Sequence, residues 1–237
     1  MKILGVDSSG MVASVALIQD DILVAEYSVN YKKTHSQTLM PMLDEILRMT
    51  EQDLSEINAI AIAAGPGSFT GLRIGSATVK GLGLALDKPI ISVPTCHALA
   101  YNLWGVDGLI CPIMDARRNQ VYTGVYQFAH GGLNVVRDQD AMDIKELIGV
   151  LNALNKPVTF TGDGIPVFEE AIKEGMEVEF QFAPAHMNRQ RAAAVATLGG
   201  VYFRQGIMEM ASEHSPIYLR KSQAEREREE RMENTNK

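Results

Sequence analysis

Cysteine, aromatic residues, basic charge and long apolar runs are all scarce in this sequence, and each scarcity closes a class of function. Two cysteines, Cys96 and Cys111, in 237 residues cannot build a disulfide framework. The histidines, His35, His97, His130, His186 and His214, are scattered, with neither a His-x-x-x-His pair nor a His-Glu-x-x-His run, so the spacing signature of a zinc or iron site is missing. Cys96 beside His97 cannot form a catalytic pair by adjacency alone; a small buried thiol and a helix-start histidine are the simpler expectation. A Gly-x-Ser-x-Gly nucleophile elbow is also missing. No apolar run is long enough to span a bilayer, and Met1-Lys2 leads directly into a strand pattern rather than a signal peptide. The expectation is a cytoplasmic chain with reduced thiols and no membrane contact.

Basic charge is short by a wide margin: the net charge is -7. The charged stretch 221–237 does not cause this, because Lys221, Arg226, Arg228, Arg231 and Lys237 balance Glu225, Glu227, Glu229, Glu230 and Glu233. The acidic body argues against this chain gripping a phosphate backbone unaided. The tail alternates charge and has almost nothing apolar to bury, so disorder or a solvated helix is expected beyond Arg220.

What the chain does have is apolar content for real cores, 46% of its residues, and one stretch around which the rest is arranged. From Ala59 to Leu86 it reads as a buried strand, a loop Gly65-Pro-Gly67-Ser68-Phe-Thr70-Gly71, and a long helix that Ser68 or Thr70 would cap. Gly71, Gly75, Val79 and Gly83 fall four apart on one stripe of that helix, and Ala77, Gly81 and Ala85 on another. Each helical glycine costs roughly 1 kcal/mol against alanine, so close packing must offset them. Two readings fit: a helix pressed against its own sheet, or one stripe on the sheet and the other on a partner's helix. The stripe nearest the loop, Gly71 and Gly75, is the expected outward one.

In chain order, strands at Lys2 to Val6, Val12 to Ile18 and Ile22 to Val29 precede a helix from Ser36 to Met49, whose apolar arc of Leu39, Met40, Met42, Leu43, Ile46 and Leu47 is wider than one buried face needs. After the central stretch come a strand at Pro89 to Val93 and a helix at Thr95 to Trp104. From Gly105 the order begins again: strands at Leu109 to Met114, Gln120 to Gln127 and Leu133 to Arg137, a helix at Ile144 to Leu154, a strand at Val158 to Thr161, a loop Gly162-Asp163-Gly164, a helix at Val167 to Glu174 and a last one near Arg191 to Gln205. Two βββαβα lobes point to an α/β chain with the duplicated actin and sugar-kinase (ASKHA) fold. The expected limits are 1–105 for a first lobe carrying the dimerisation helices, 106–220 for a second, and 221–237 for the tail.

The glycine loop could cradle an anion at a helix N-terminus, yet it is neither a P-loop, since no Gly-Lys-Ser/Thr follows, nor a dinucleotide fingerprint, since the next strand ends without a ribose-binding acid. Asp7-Ser8-Ser9-Gly10 is the candidate phosphate-loop remnant of the first lobe. An Asp that only stabilises a turn fits equally well. Its counterpart, Asp115-Ala-Arg117-Arg118, has cationic side chains where close backbone approach to phosphate wants glycine, so half of a nucleotide clamp is spoiled.

With these residues in view, the sequence resembles the TsaB (YeaZ) family, the bacterial partners of the threonylcarbamoyl transferase TsaD. Asp7-Ser-Ser, Gly65-Pro-Gly-Ser-Phe-Thr-Gly-Leu-Arg73-x-Gly75, Asp115-Ala-Arg-Arg-Asn-x-x-Val-Tyr122 and Pro216-x-Tyr-Leu-Arg220 carry the likeness, with His35-Ser and Gly162-Asp-Gly164 between them. The resemblance implies a non-catalytic scaffold of the tRNA threonylcarbamoyladenosine complex that binds TsaD, helps recruit the ATPase TsaE and pairs with itself when alone. It implies that ATP or ADP and metal are supplied by partners, with no cofactor for the isolated chain, and that tRNA is met only through the complex. TsaD holds its metal through a His-x-x-x-His motif; here the matching place offers His35 and Leu39, so neither catalytic residues nor metal ligands carry over. The expected interface is Leu39, Met40, Leu43, Leu47, Gly71, Arg73, Gly75 and Thr78. A self-sufficient actin-fold ATPase or kinase is the alternative, and a metallopeptidase a further one.

Overall fold

The computed structural model describes residues 1–129 and 131–220; the expected tail, 221–237, lies outside the described residues. The first half runs β1 (Lys2–Asp7), β2 (Val12–Gln19), β3 (Ile22–Asn30), α1 (His35–Thr50), β4 (Ala59–Gly65), α2 (Phe69–Leu86), β5 (Ile90–Pro94) and α3 (Thr95–Tyr101). The second repeats it: β6 (Leu109–Asp115), β7 (Gln120–Ala129), β8 (Gly132–Asp143), α4 (Ile144–Leu154), β9 (Val158–Thr161), α5 (Ile165–Gly175), β10 (Phe180–Phe182) and α6 (Ala192–Arg204). Each half is thus one strand and one helix longer than βββαβα. The short β10 escaped the sequence pattern because it is only Phe180–Phe182 and alternates about a single polar residue.

The duplication is plainest in the sheets, ordered β3-β2-β1-β4-β5 and β10-β9-β6-β7-β8. In both, an antiparallel meander of three strands is extended by parallel strands reached through helical crossovers. The central strands, buried on both faces, read as continuous apolar or small runs, as Ala59–Gly65 does.

On one face of the first sheet Leu39, Met42, Leu43 and Ile46 of α1 and Val79 of α2 bury against Leu4, Val6, Val15 and Ile60. On the other, α6 lays Ala194, Val195, Ala196 and Leu198 against Ile3, Ala59, Ala61 and Val93. Small residues on both sides let the helix axis approach the sheet closely. This corrects the expected 106–220 lobe: α6 belongs in space to the first sheet. The chain after it stays there, bridging Glu209 to Ile90 and donating Ile217 N–H to the Ala64 carbonyl at 2.7 Å. The second sheet buries Leu147, Leu151, Phe168 and Ile172 of α4 and α5. Both thiols are buried, and burial raises their pKa.

Candidate functional site: the interlobe cleft and the outer face of α2

The loop before α2 owes its shape to close approach. Gly65 takes φ +129°, and a Cβ there would overlap the Ile217 carbonyl oxygen, so only glycine fits. Ser68, the N-cap, accepts from Gly71 N–H at 3.3 Å and donates its own N–H to the Ser9 carbonyl at 2.6 Å. Thr70 is exposed and does not cap the helix. Of the amides that could have cradled an anion, Ser68 N–H is engaged with the chain's own turn and Gly71 N–H with the Ser68 side chain.

That turn is Asp7-Ser8-Ser9-Gly10, completely buried. Ser8 Oγ donates to the Gly71 carbonyl at 2.9 Å, and a Cβ on Gly71 or Gly75 would overlap the Ser8 carbonyl or hydroxyl oxygen. The expectation that Gly71 and Gly75 face outward is thus overturned, because the buried turn occupies the volume their side chains would take. Asp7 Oδ1 accepts from Ser9 N–H at 2.9 Å and Ser9 Oγ at 2.7 Å. Its Oδ2 has no partner among the described residues. Burial pushes the Asp7 carboxyl up to about 6, with Asp163 adding to the rise and Ser9 opposing it.

Across a cavity of about 590 Å³ stands the second-lobe turn. Asp115 accepts from Arg117 N–H at 2.8 Å and pairs with the Arg117 guanidinium at 3.3 Å. Arg117, Arg118 and Asn119 all take positive φ, a tight hairpin that glycine was not needed to make. Behind it Gly162 repeats the role of Gly65: it takes φ +110°, and a Cβ would overlap the Ile113 carbonyl oxygen. Asp163 and Gln190 line the cavity and escaped sequence reasoning; aligning Gly65-Pro-Gly67 with Gly162-Asp-Gly164 across the internal repeat was the signal that could have found the former. Burial raises the Asp163 pKa. The buried Gln190 amide lies near enough to favour the charged form without reaching hydrogen-bond geometry.

The expected interface residues divide. Leu39 and Leu43 are core, at 2% and 3% exposure, because α1 turns that arc onto the sheet. Leu47 is partly buried against the same core, and Thr78 is half-buried, its hydroxyl donating to the Ile74 carbonyl at 2.9 Å. Met40 and Arg73 are exposed. The outward stripe of α2 is Arg73, Ala77, Gly81, Leu84 and Ala85, and a Cβ on Gly81 would meet open space. His35 Nε2 bonds the Gly10 carbonyl at 2.9 Å. Among the described residues no group of three or more His, Cys, Asp or Glu side chains converges on a metal position, and no helix is long and apolar enough to cross a membrane.

Two lobes of one topology, facing each other across turns closed by their own side chains, define a duplicated actin and sugar-kinase-like protein. A family model described as TsaD, tRNA N6-adenosine threonylcarbamoyltransferase, matches residues 23–228. The tRNA threonylcarbamoyladenosine biosynthesis protein TsaB of Bacillus subtilis (strain 168) is 36% identical over 228 residues, 95% of this chain and 96% of that one. YeaZ from Pseudomonas aeruginosa superposes with a TM-score of 0.79 at 27% identity, covering 92% of this chain and 99% of that one. The ethanolamine utilization protein EutJ from Carboxydothermus hydrogenoformans, at 15% identity and a TM-score of 0.50 over 84% of this chain and 88% of that one, shares the fold alone. The chain belongs to the TsaB (YeaZ) family.

Proposed function

We propose that this chain is the non-catalytic subunit of the tRNA threonylcarbamoyladenosine-modifying complex: it docks on TsaD through its first lobe and helps recruit the ATPase TsaE. The observation that carries this reading is the fate of α1. Where a transferase would present a His-x-x-x-His metal pair, Leu39 is sunk in the core and His35 is tied to the Gly10 carbonyl, so the helix is built as structure. The cleft supports the same view. Its Ser68 amide and Asp115 are spent on internal bonds, which supports leaving ATP, ADP and metal to the partners. With a net charge of -7, tRNA is met through the complex rather than by this chain.

The docking face in this reading is the outer side of α2, together with the exposed Met40 of α1. Gly81 and Ala77 let another helix approach closely, and Leu84, 62% exposed, supplies apolar area. A second copy of the chain presents the same helix, so in the absence of TsaD an isologous homodimer uses the same surface and competes with the heterodimer.

The test is reconstitution. Given threonylcarbamoyl-adenylate and substrate tRNA, the chain alone forms no modified adenosine, whereas TsaD and TsaE do so when the chain is added. Formation of product by the chain alone, or failure of TsaD to co-elute with it, refutes the reading.

A further inference from the structure

Four arginines among the described residues are paired with carboxylates. Arg48 pairs with Glu45, Arg117 with Asp115, Arg191 with Glu26 and Arg204 with Asp21. Arg73 is handled differently. Its guanidinium lies over the Phe69 ring, 4.1 Å from the centroid, and its Nε–H donates to the Tyr218 hydroxyl at 3.3 Å. Phe69 and Tyr218 are themselves stacked, with centroids 4.4 Å apart and 28° between planes. Among the described residues no carboxylate pairs with Arg73 within ion-pair distance. A long flexible side chain is thus held in one orientation by two aromatic groups while its terminal N–H donors stay open to solvent.

The clamp is not local to the helix. Phe69 and Arg73 sit four apart on the first turns of α2, but Tyr218 arrives from the far end of the described chain, on a strap over residues 216–220. That strap is fixed to the first sheet by Ile217 N–H on the Ala64 carbonyl, at 2.7 Å. Arg220 ties it to the second-lobe turn, donating to the Ala116 carbonyl at 2.8 Å. Arg73 also heads the outward stripe of α2.

We propose that Arg73 is a preformed anchor for a carboxylate of TsaD, with Tyr218 as the residue that positions it. This rests on the docking face assigned above and adds a contact and its chemistry to it. An arginine already ordered loses little side-chain entropy when it is paired, and its planar fork suits a carboxylate in bidentate geometry. Arginine and tyrosine are among the residues enriched at interface hot spots.

The experiment measures dissociation of the full chain from immobilised TsaD for wild type, Arg73→Ala, Tyr218→Phe and the double variant. Tyr218→Phe keeps the stack and removes only the hydroxyl, and a thermal melt checks that the fold is unchanged. Tyr218→Phe is expected to raise the off-rate about tenfold, equivalent to about 1.4 kcal/mol. Arg73→Ala is expected to raise it further, and adding Tyr218→Phe to Arg73→Ala to change nothing more. Equal effects of Tyr218→Phe with and without Arg73, or an unchanged off-rate for Tyr218→Phe or Arg73→Ala, overturn the anchor while leaving the docking face intact. Absence of any complex with the wild-type chain removes the docking face and the anchor with it.

Discussion

The two turns that face each other across the cleft descend from one topology and do opposite things with it. The turn after β1 is Asp7-Ser-Ser-Gly, small, buried and overlaid by the glycine loop and the start of α2. The turn after β6 is Asp115-Ala-Arg-Arg-Asn, standing at the cleft with Arg117 in solvent. The helix that leaves the fourth strand of each lobe differs as well. In the first lobe it is an eighteen-residue helix carrying glycines on its inner stripe; in the second it is an eleven-residue helix opened by Ile165-Pro. Beneath the start of α2 only small side chains fit, whereas the second-lobe turn carries two arginines that stand in solvent. A duplicated fold can thus keep its strand order while its two equivalent turns differ in size, burial and charge.

The comparison is broken most strongly at α2. Gly75→Leu forces a side chain into the volume of Ser8, and a loss of about 3 kcal/mol or more is expected in urea denaturation. Gly81→Leu, on the outer stripe, meets open space and is expected to stay folded while abolishing co-elution with TsaD. A folded Gly75→Leu that fails to bind TsaD would reverse the assignment of the two stripes.

A second contrast is set by charge. The Asp7 pKa rises on folding from 3.8 to about 6, so between those values the native state holds its proton more tightly than the unfolded chain does. Stability contributed by the protonated carboxyl is therefore lost as pH rises from about 4 to about 6. Above that range the penalty for the buried anion is at most about 3 kcal/mol, from a shift of roughly two pH units. Asp7→Asn should raise the melting temperature at pH 7.5 and converge on wild type near pH 4. A variant less stable than wild type at pH 7.5 would show that the carboxylate is held by more than Ser9. Asp115→Asn, which keeps an acceptor for Arg117 N–H, should move stability by less than about 0.5 kcal/mol at pH 7.5.

The smallest expected effect sharpens the distinction between glycines that packing requires and those it does not. Gly149 is exposed on α4, and a Cβ there would meet nothing within 4 Å. Gly149→Ala should stabilise the chain by up to about 1 kcal/mol through helix propensity alone. No gain in chemical denaturation would mean that α4 has a neighbour its outer face must admit.

Much of the fold was legible because local signals agreed. Strand-length apolar runs and the glycine loop fixed most elements within two residues; β8, expected at Leu133 to Arg137, instead runs Gly132–Asp143, and α3, expected to reach Trp104, ends at Tyr101. The site was less legible. Four-residue spacing showed that α2 carries two small stripes but could not tell inside from outside, since Gly75 and Gly81 look alike until Ser8 is placed under one of them. The apolar arc of α1 was read as too wide for one sheet, yet Leu39 and Leu43 are core and only Met40 is left substantially exposed, 48%. Tyr218, the strap and α6 are contacts of long sequence separation, and no local pattern announces them.

The sequence by itself determined the repeated order of strands and helices, the placement of glycines at backbone-to-backbone approaches and the arginines of the second-lobe turn. These depend on residue type and spacing, which act over one or two turns of chain. Only the tertiary structure decided which stripe of α2 is buried, that α6 covers the first sheet, and that the strap reaches Arg73. Those outcomes depend on which surfaces meet, and burial of apolar and small faces is a property of the pair rather than of either segment.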